Sequence, residues 1–577
     1  MPNVLTDPAS TEDATDTSRR SQVAPPARRR SLAGARTAAL WYVGALALAG
    51  VVVWPVLVFF ARLGEDGGSA FGRLMDIPDI GSTLLMTGVL AAGSTVIGAI
   101  AALALAVAAT RVPARMRAFA AIVPQIPLVI PPVAFVYGWI FLCDPEVGYL
   151  NSVLDLIGLG PINIYTVPGI ILFTAVDMTG IIFAFVFPRL MEINGSVLAA
   201  ARVAGASGFR SFSTITFPLL RPGLVAGVVV SFLICMGQFT APLFLGTREN
   251  IKVISTEIFR LREGFPIDYA LTAALGLPLL VFGVAAIIVQ RRVVGDQRRY
   301  ITQSSGRGIT RTDSRKAAAF VLGWAIFVIG LPILAIIRVA FSPFWDGNLT
   351  RFTFTMENVW AIAGNPDLVS SIVNSLVASF LAVLFVIPLG FVTALALSGV
   401  ITAPKPVVKT LDFIFIAPLA VPRALLGMVI VYVFIRPPFS LYGSLALFVI
   451  GYAFIALPFA LRSQYSSLIG VEKSLFEAAR VAGATQARMI ATIALPVARK
   501  GVAAALALAF VMLSNDFAVS VMVQSPGQQV MGTFLYQLGQ EGSAPEVAVM
   551  SLVMTVITAG ILALTLRIGG KSALESF

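Results

Sequence analysis

Apolar residues run in blocks of twenty or more along nearly the whole chain, at about 38–61, 84–110, 118–142, 168–190, 223–245 and 268–290. A second set lies at about 317–341, 369–398, 410–434, 441–461, 501–523 and 545–566. Each block is long enough to cross a hydrocarbon core as a helix, which takes roughly 20 residues. Lipid offers the backbone no other partner, so every N–H and C=O must pair within its own segment. The pattern predicts an all-α polytopic membrane protein with about 12 transmembrane helices.

Two polar intervals punctuate the pattern. Residues 1–36 contain Pro25, Pro26 and the run Arg28 to Arg30 with almost nothing apolar, and read as a disordered basic tail. The apolar stretch behind them lacks a small-x-small cleavage site before Arg62, so it is expected to stay as the first helix. Residues 291–316 hold eight Lys and Arg together with Ser304, Ser305, Gly306 and Gly308, and read as a cytoplasmic linker. The chain thus divides into a first half, 37–290, and a second half, 317–577, with six spans each. That symmetry calls for a search for internal duplication.

Composition narrows the function classes. Hydrophobic residues make up 58% of the chain and charged residues 12%, with mean hydropathy +0.90; soluble domains carry about 25% charged residues. A soluble enzyme is excluded. The chain has no histidine and only two separated cysteines, Cys143 and Cys235, which leaves no ligand set for zinc, haem or iron–sulfur centres. The net charge of +12 could suggest nucleic acid, but its distribution does not. With the N-terminus inside, 31 of the 41 Lys and Arg fall in cytoplasmic segments and 9 in external ones, and Arg423 alone lies within the body of a span. The basic excess follows the positive-inside rule and faces lipid headgroups.

The duplication is local. Residues 199–223 align with 477–501 at a constant offset of 278, without a gap, and 13 of 25 positions are identical. They include Ala200, Ala201, Gly205, Arg210, Thr214, Ile215, Pro218 and Gly223. Both copies lie between the fourth and fifth span of their half, on the cytoplasmic side. Each reads as two short helices about a turn: Glu477 to Val481 favours helix, Gly483 can take the positive φ that breaks it, and helix resumes at Thr485 until Pro496 restarts the chain toward the membrane. One such loop could be an amphipathic helix on the headgroups. Two matched copies point to a paired docking surface.

At these residues the chain resembles the inner-membrane permeases of binding-protein-dependent ABC importers, whose cytoplasmic loop carries Glu-Ala-Ala, then Gly, then Ile-x-x-Pro. The second copy matches with Glu477, Ala478, Ala479, Gly483, Ile493 and Pro496. The first keeps Ala200, Ala201, Gly205, Ile215 and Pro218 but has Ala199 in place of the acid. The resemblance implies that residues 199–210 and 477–488, including Arg210 and Arg488, form coupling helices that seat in an ATPase subunit. It further implies an external solute-binding protein, a bacterial inner-membrane location and cytoplasmic termini. Fused permeases of this size resemble the ferric-iron, thiamine and phosphonate importers. The segment Ser514-Asn515-Asp516-Phe517, with Pro545-Glu546-Val547, also resembles polyamine permeases.

This chain is expected to bind no ATP itself. Gly569-Gly570-Lys571-Ser572 echoes the end of a phosphate loop, but Thr565 stands where the first glycine is needed and no strand precedes it. ATP and magnesium are expected on the partner subunit.

Polar residues within spans mark candidate pathway positions, because they are costly in lipid. The offset of 278 pairs Gln238 with Asp516, each followed by Phe, in the fifth span of its half. Asn515 adjoins Asp516. Arg423 follows Pro422 midway along the ninth span, where Pro131-Pro132 stand in the third; proline there frees backbone carbonyls and is expected to kink each helix. Arg423 could meet an anionic group, but a salt bridge with Asp516 or Asp177 is preferred. Asp177 has Ile455 in its register and no assigned role. An ion-coupled secondary transporter is the alternative, but it gives no reason to duplicate a cytoplasmic loop. A membrane enzyme would need clustered carboxylates, and the nearest pair, Asp144 and Glu146, reads as solvated loop.

Overall fold

The computed structural model describes residues 32–193, 195–294, 313–469 and 471–569. The first half contains α1 (Leu32–Glu65), α2 (Ser69–Met75), α3 (Ile80–Ala109), α4 (Arg117–Ile122), α5 (Pro132–Cys143), α6 (Tyr149–Leu156), α7 (Val167–Glu192), α8 (Gly195–Val203), α9 (Gly208–Ser211), α10 (Phe217–Met236), α11 (Ile254–Glu263) and α12 (Tyr269–Val294). The second contains α13 (Arg315–Trp324), α14 (Leu331–Ala340), α15 (Glu357–Ala363), α16 (Pro366–Ser398), α17 (Lys405–Ile416), α18 (Arg423–Phe434), α19 (Leu445–Ile469), α20 (Lys473–Val481), α21 (Gln486–Met489), α22 (Leu495–Ser514), α23 (Ala518–Val523), α24 (Met531–Glu541) and α25 (Ala544–Gly569). The all-α expectation holds: the described residues contain no β-strand, only one isolated bridge between Ser525 and Gln528.

Among the described residues ten helices are long and apolar enough to cross a membrane, and two bent helix pairs bring the number to 12 if each pair is one span. Both bends fall at the prolines expected to kink the third and ninth spans. The segment Ala114–Leu128 meets Pro132–Cys143 at 95°, and Lys405–Ala420 meets Arg423–Phe434 at 106°. Proline explains the place of each bend: it lacks the N–H that would continue the ladder and forces its predecessor out of the helical region. Pro131 and Pro422 both hold extended ψ, 123° and 144°.

The fifth and eleventh spans also end earlier than the hydropathy suggests. Helix α10 stops at Met236 and α22 at Ser514, so Gln238 and Asp516 sit just beyond a helix end rather than inside one. Of the expected tail, residues 1–31 lie outside the described residues, and α1 already begins at Leu32. Of the linker, 295–312 lie outside them, while 291–294 belong to α12 and Arg315 and Lys316 to α13. The Gly-Gly-Lys-Ser run lies outside them from residue 570 onward.

The halves are interlocked by their leading helices. Helix α1 packs on α12 of its own half and crosses onto α17 and α18 of the other, while α14 packs on α25 and crosses onto α5. Inside each half, α3 packs on α7 and α10, matching α16 on α19 and α22. Close approach needs small residues at these contacts: a Cβ on Gly98 would lie 2.7 Å from Met178 Cβ, and one on Gly283 would lie 2.1 Å from the Ala420 carbonyl oxygen.

Candidate functional site: two docking turns and an aromatic plug

The two repeat copies fold alike. Helix α8 ends at Val203 and α20 at Val481, and the next turn contains Gly205 at φ 79° and Gly483 at φ 78°. Only glycine takes that conformation without strain. The chain then restarts with matching caps: Ser207 Oγ accepts from Arg210 N–H at 3.2 Å, and Thr485 Oγ1 from Arg488 N–H at 3.3 Å. Thr214 and Thr492 each donate to the carbonyl four residues back, Arg210 O and Arg488 O, at 2.6 Å.

Pro218 and Pro496 do not restart the chain, contrary to the sequence reading. A single π turn precedes each, at 212–216 and 490–494. The wider turn accommodates a residue that cannot donate. Gly208–Met236 and Gln486–Ser514 are therefore unbroken helical rods of 29 residues.

At the docking turns the chain leaves apolar side chains bare: Val203 is 91% exposed, Val481 90% and Phe209 82%. Ala200, Ala201, Ala478 and Ala479 lie on the same short helices. Glu477 is exposed on the rim of a small cleft between α16, α19 and α20, whose floor includes Val400 and Phe476. Arg480 ties this copy to the end of α16 through a 2.8 Å bond to Val400 O.

At the far end of each rod stands a ring. Phe239 and Phe517 stack with centroids 5.7 Å apart and planes inclined by 25°. Behind them Phe259 and Tyr536 meet edge to face at 6.2 Å, and Phe244 touches both Phe517 and Tyr536. These rings pack together where the two halves meet. The sequence pairs Gln238 with Asp516 but does not announce Phe259 or Tyr536. The available signal is a second register: at offset 277, Val253-x-x-Thr256 falls on Val530-x-x-Thr533, with Phe259 on Tyr536. Each Thr accepts from that Val's N–H at 3.1 Å and so starts the short helix carrying the ring.

Arg262, also unremarked in the sequence, crosses between the halves from the end of α11. Its guanidinium donates to Met522 O at 3.2 Å, in the last turn of α23, and to Gln524 O at 2.7 Å just beyond it, at a helix end where positive charge is favoured.

The polar candidates fall around this plug. Asp516 is fully buried and caps α23: its Oδ2 accepts from the Val519 and Ser520 N–H groups at 3.0 and 3.1 Å. Arg423 Nη1 donates to its Oδ1 at 3.4 Å, so the expected pairing goes to Asp516. Arg423 keeps 43% of its side chain exposed. Asn515 bridges helices instead, donating to Val511 O and accepting from Thr558 Oγ1 of α25, both at 3.0 Å. Gln238 is half-buried, and Gly237 before it lets Pro422 approach closely, since a Cβ there would lie 2.9 Å from Pro422 Cβ. Asp177 stands apart, half-buried on α7.

Asp144 is not a solvated loop residue. Its Oδ2 accepts from Tyr165 Oη at 2.8 Å and Arg248 Nη1 at 3.0 Å, and its Oδ1 from Glu146 N–H at 2.9 Å and Val147 N–H at 3.2 Å. Burial works against its charge, but these donors outweigh it and hold the carboxyl below the usual carboxylate range.

Two interlocked helical halves, each with an exposed turn built alike, and a cluster of rings where they meet describe a duplicated membrane protein. The chain belongs to the family of binding-protein-dependent transport system inner membrane components, whose model matches it twice, over residues 94–299 and 387–570. The ferric transport system permease protein FbpB of Actinobacillus pleuropneumoniae is 26% identical over 536 residues, covering 89% of this chain and 75% of that protein. A putative ferric transport system permease protein, FbpB 1, of Haemophilus influenzae is 25% identical over 513 residues, 85% of this chain and 78% of its own. The spermidine/putrescine permease PotB of Escherichia coli is 29% identical over 158 residues, 25% of this chain and 56% of its own. This protein is thus a multi-pass inner-membrane permease of an ABC importer.

Proposed function

We propose that this permease imports ferric iron, delivered by an external binding protein and driven by a separate ATPase dimer that binds ATP and magnesium. The observation that carries the coupling half of this reading is the pair of continuous rods, each joining an exposed docking turn to one stacked ring. A 29-residue helix is about 43 Å long, and helices move as rigid bodies. A change of spacing between the two docking turns therefore reaches Phe239 and Phe517 directly. Val203, Val481 and Phe209 give the ATPase an apolar contact at each turn, with the termini on that cytoplasmic side.

The substrate half rests on the two ferric permeases, which align over most of both chains. Polyamine stands second, because the PotB likeness is confined to a quarter of the chain and because the Asp516 carboxylate, which a polyamine ammonium would need, is engaged by Arg423 and α23. Phosphonate and thiamine follow. Gln238, Asn515, Asp516, Arg423 and Asp177 flank the path under this reading. The test is ATP-driven uptake of radioactive iron by liposomes carrying the permease, its ATPase and its binding protein. Uptake of putrescine but not iron would replace ferric iron with polyamine.

A further inference from the structure

The most exposed large apolar side chain among the described residues is Phe265, at 99%. It stands in the short loop between α11 and α12, on the face opposite the docking turns, because α10 runs from its turn to the ring cluster and α12 returns beside it. A bare ring forgoes the burial that holds the other rings of this chain in place.

The loop holds this ring out rigidly. Before it, Arg262 donates to Met522 O and Gln524 O of the other half, at 3.2 and 2.7 Å, and pairs with Glu263. Behind it, Asp268 starts α12 by accepting from the Leu271 N–H at 2.9 Å, and Arg73 Nε donates to Asp268 at 3.1 Å. Arg73 also pairs with Asp66 at 3.1 Å. Glu263 lies close enough to Tyr536 to interact with it electrostatically, so the loop adjoins the seam between the halves. A ring braced on both sides loses little freedom on binding.

Charges of both signs thus flank Phe265. An aromatic side chain that dips into lipid does so from an apolar face shared with its neighbours. A protein partner instead takes an aromatic centre inside a polar rim. The second half offers no such ring. Helix α24 has 11 residues against 10 in α11, and at the offset of 278 Glu263-Gly264-Phe265 falls on Glu541-Gly542-Ser543. Ser543 is exposed, and its Oγ accepts from the Glu546 N–H at 3.4 Å.

Given delivery by an external binding protein, the reading on which this inference rests, we propose that Phe265 is the anchor that seats that protein on the permease. The ring fills an apolar pocket rimmed by charges on the partner, and Ser543 in the matching place fixes which way round the partner sits. The family's dependence on a binding protein supplies the partner; the flanking charges set its register more than its affinity.

The test uses the full chain with its ATPase in lipid nanodiscs, titrated with the binding protein of the liposome assay. Phe265→Ser, which copies the second half, is expected to weaken binding roughly tenfold or more. Phe265→Tyr should retain it, and neither variant should change the unfolding temperature, since the ring is bare. Undiminished affinity in Phe265→Ser defeats the anchor alone. No binding by the wild type defeats delivery by that protein, and the anchor with it. Putrescine uptake in place of iron defeats the ferric cargo alone, and the titration still decides the anchor. Irradiation of Phe265→p-benzoylphenylalanine should link the binding protein; adducts with lipid alone would make the ring a membrane anchor and overturn the docking role. The peptide linked from position 265 should differ from that linked from Ser543→p-benzoylphenylalanine. The same peptides from both positions would refute the fixed orientation.

Discussion

Phe239 and Phe517, 278 residues apart in the chain, stack at 5.7 Å where the two halves meet. Each stands three residues beyond the end of a rod that begins at a repeat turn, so under the proposed coupling their separation changes during transport. With both native cysteines replaced by serine, Phe239→Cys combined with Phe517→Cys is expected to form a disulfide under mild oxidation. That bond should arrest ATP-driven uptake until a reductant is added. Transport unaffected by complete cross-linking would show that the rings need not part.

The docking turns depend on glycine. At φ near 80° a side chain is strained by about 1–2 kcal/mol, while open space surrounds both Cβ positions. Gly205→Leu combined with Gly483→Leu should therefore leave membrane insertion intact and abolish ATPase assembly and uptake. Recovery of the ATPase with the double variant at wild-type yield would refute this role.

The docking sites are expected to be unequal. Glu477 is exposed and offers a charge-assisted contact, whereas the first copy has Ala199. Glu477→Ala should lower recovery of the ATPase complex, and Ala199→Glu should change it far less. Equal effects in pull-down assays would remove the asymmetry.

Asp516 serves a buried helix end, and Arg423 balances its charge. Arg423→Met should lower thermal stability by about 1–3 kcal/mol, because an unpaired carboxylate stays buried, and adding Asp516→Asn should recover most of the loss. The measurement is a double-mutant cycle on the unfolding of detergent-solubilised protein. Additive losses would mean that the 3.4 Å contact carries no coupling.

The Asp144 cluster predicts a pH dependence. Because its folded carboxyl titrates below the ordinary value of about 4, its stabilisation is complete above that value and disappears as pH falls through the folded one. Asp144→Asn should be less stable than the wild type at neutral pH, with the difference closing in acid. A difference independent of pH would assign the loss to packing.

Hydropathy located the spans because lipid imposes one simple rule on every segment. Proline marked the places of the bends at Pro131 and Pro422, though not their near right angles; nothing marked the ends at Met236 and Ser514, because an apolar residue reads alike in a straight helix and in a turn at membrane depth. The duplicated loop was legible to single residues, since Gly205 and Gly483 are fixed by backbone geometry. Pro218 and Pro496 were misread because a π turn leaves no mark in composition. Phe259 and Tyr536 were hidden among 40 phenylalanines and 11 tyrosines; only their register singles them out.

The difference between Gln238 and its counterpart Asp516, and between Asp177 and Ile455, has an evolutionary consequence. In a channel assembled from two identical chains, every substitution is made twice, and a carboxylate on one wall faces its own copy on the other. Joining both walls in one gene releases each from mirroring its neighbour. One side can then specialise in handling cargo while the other becomes a rigid backing, a division of labour closed to any homodimer.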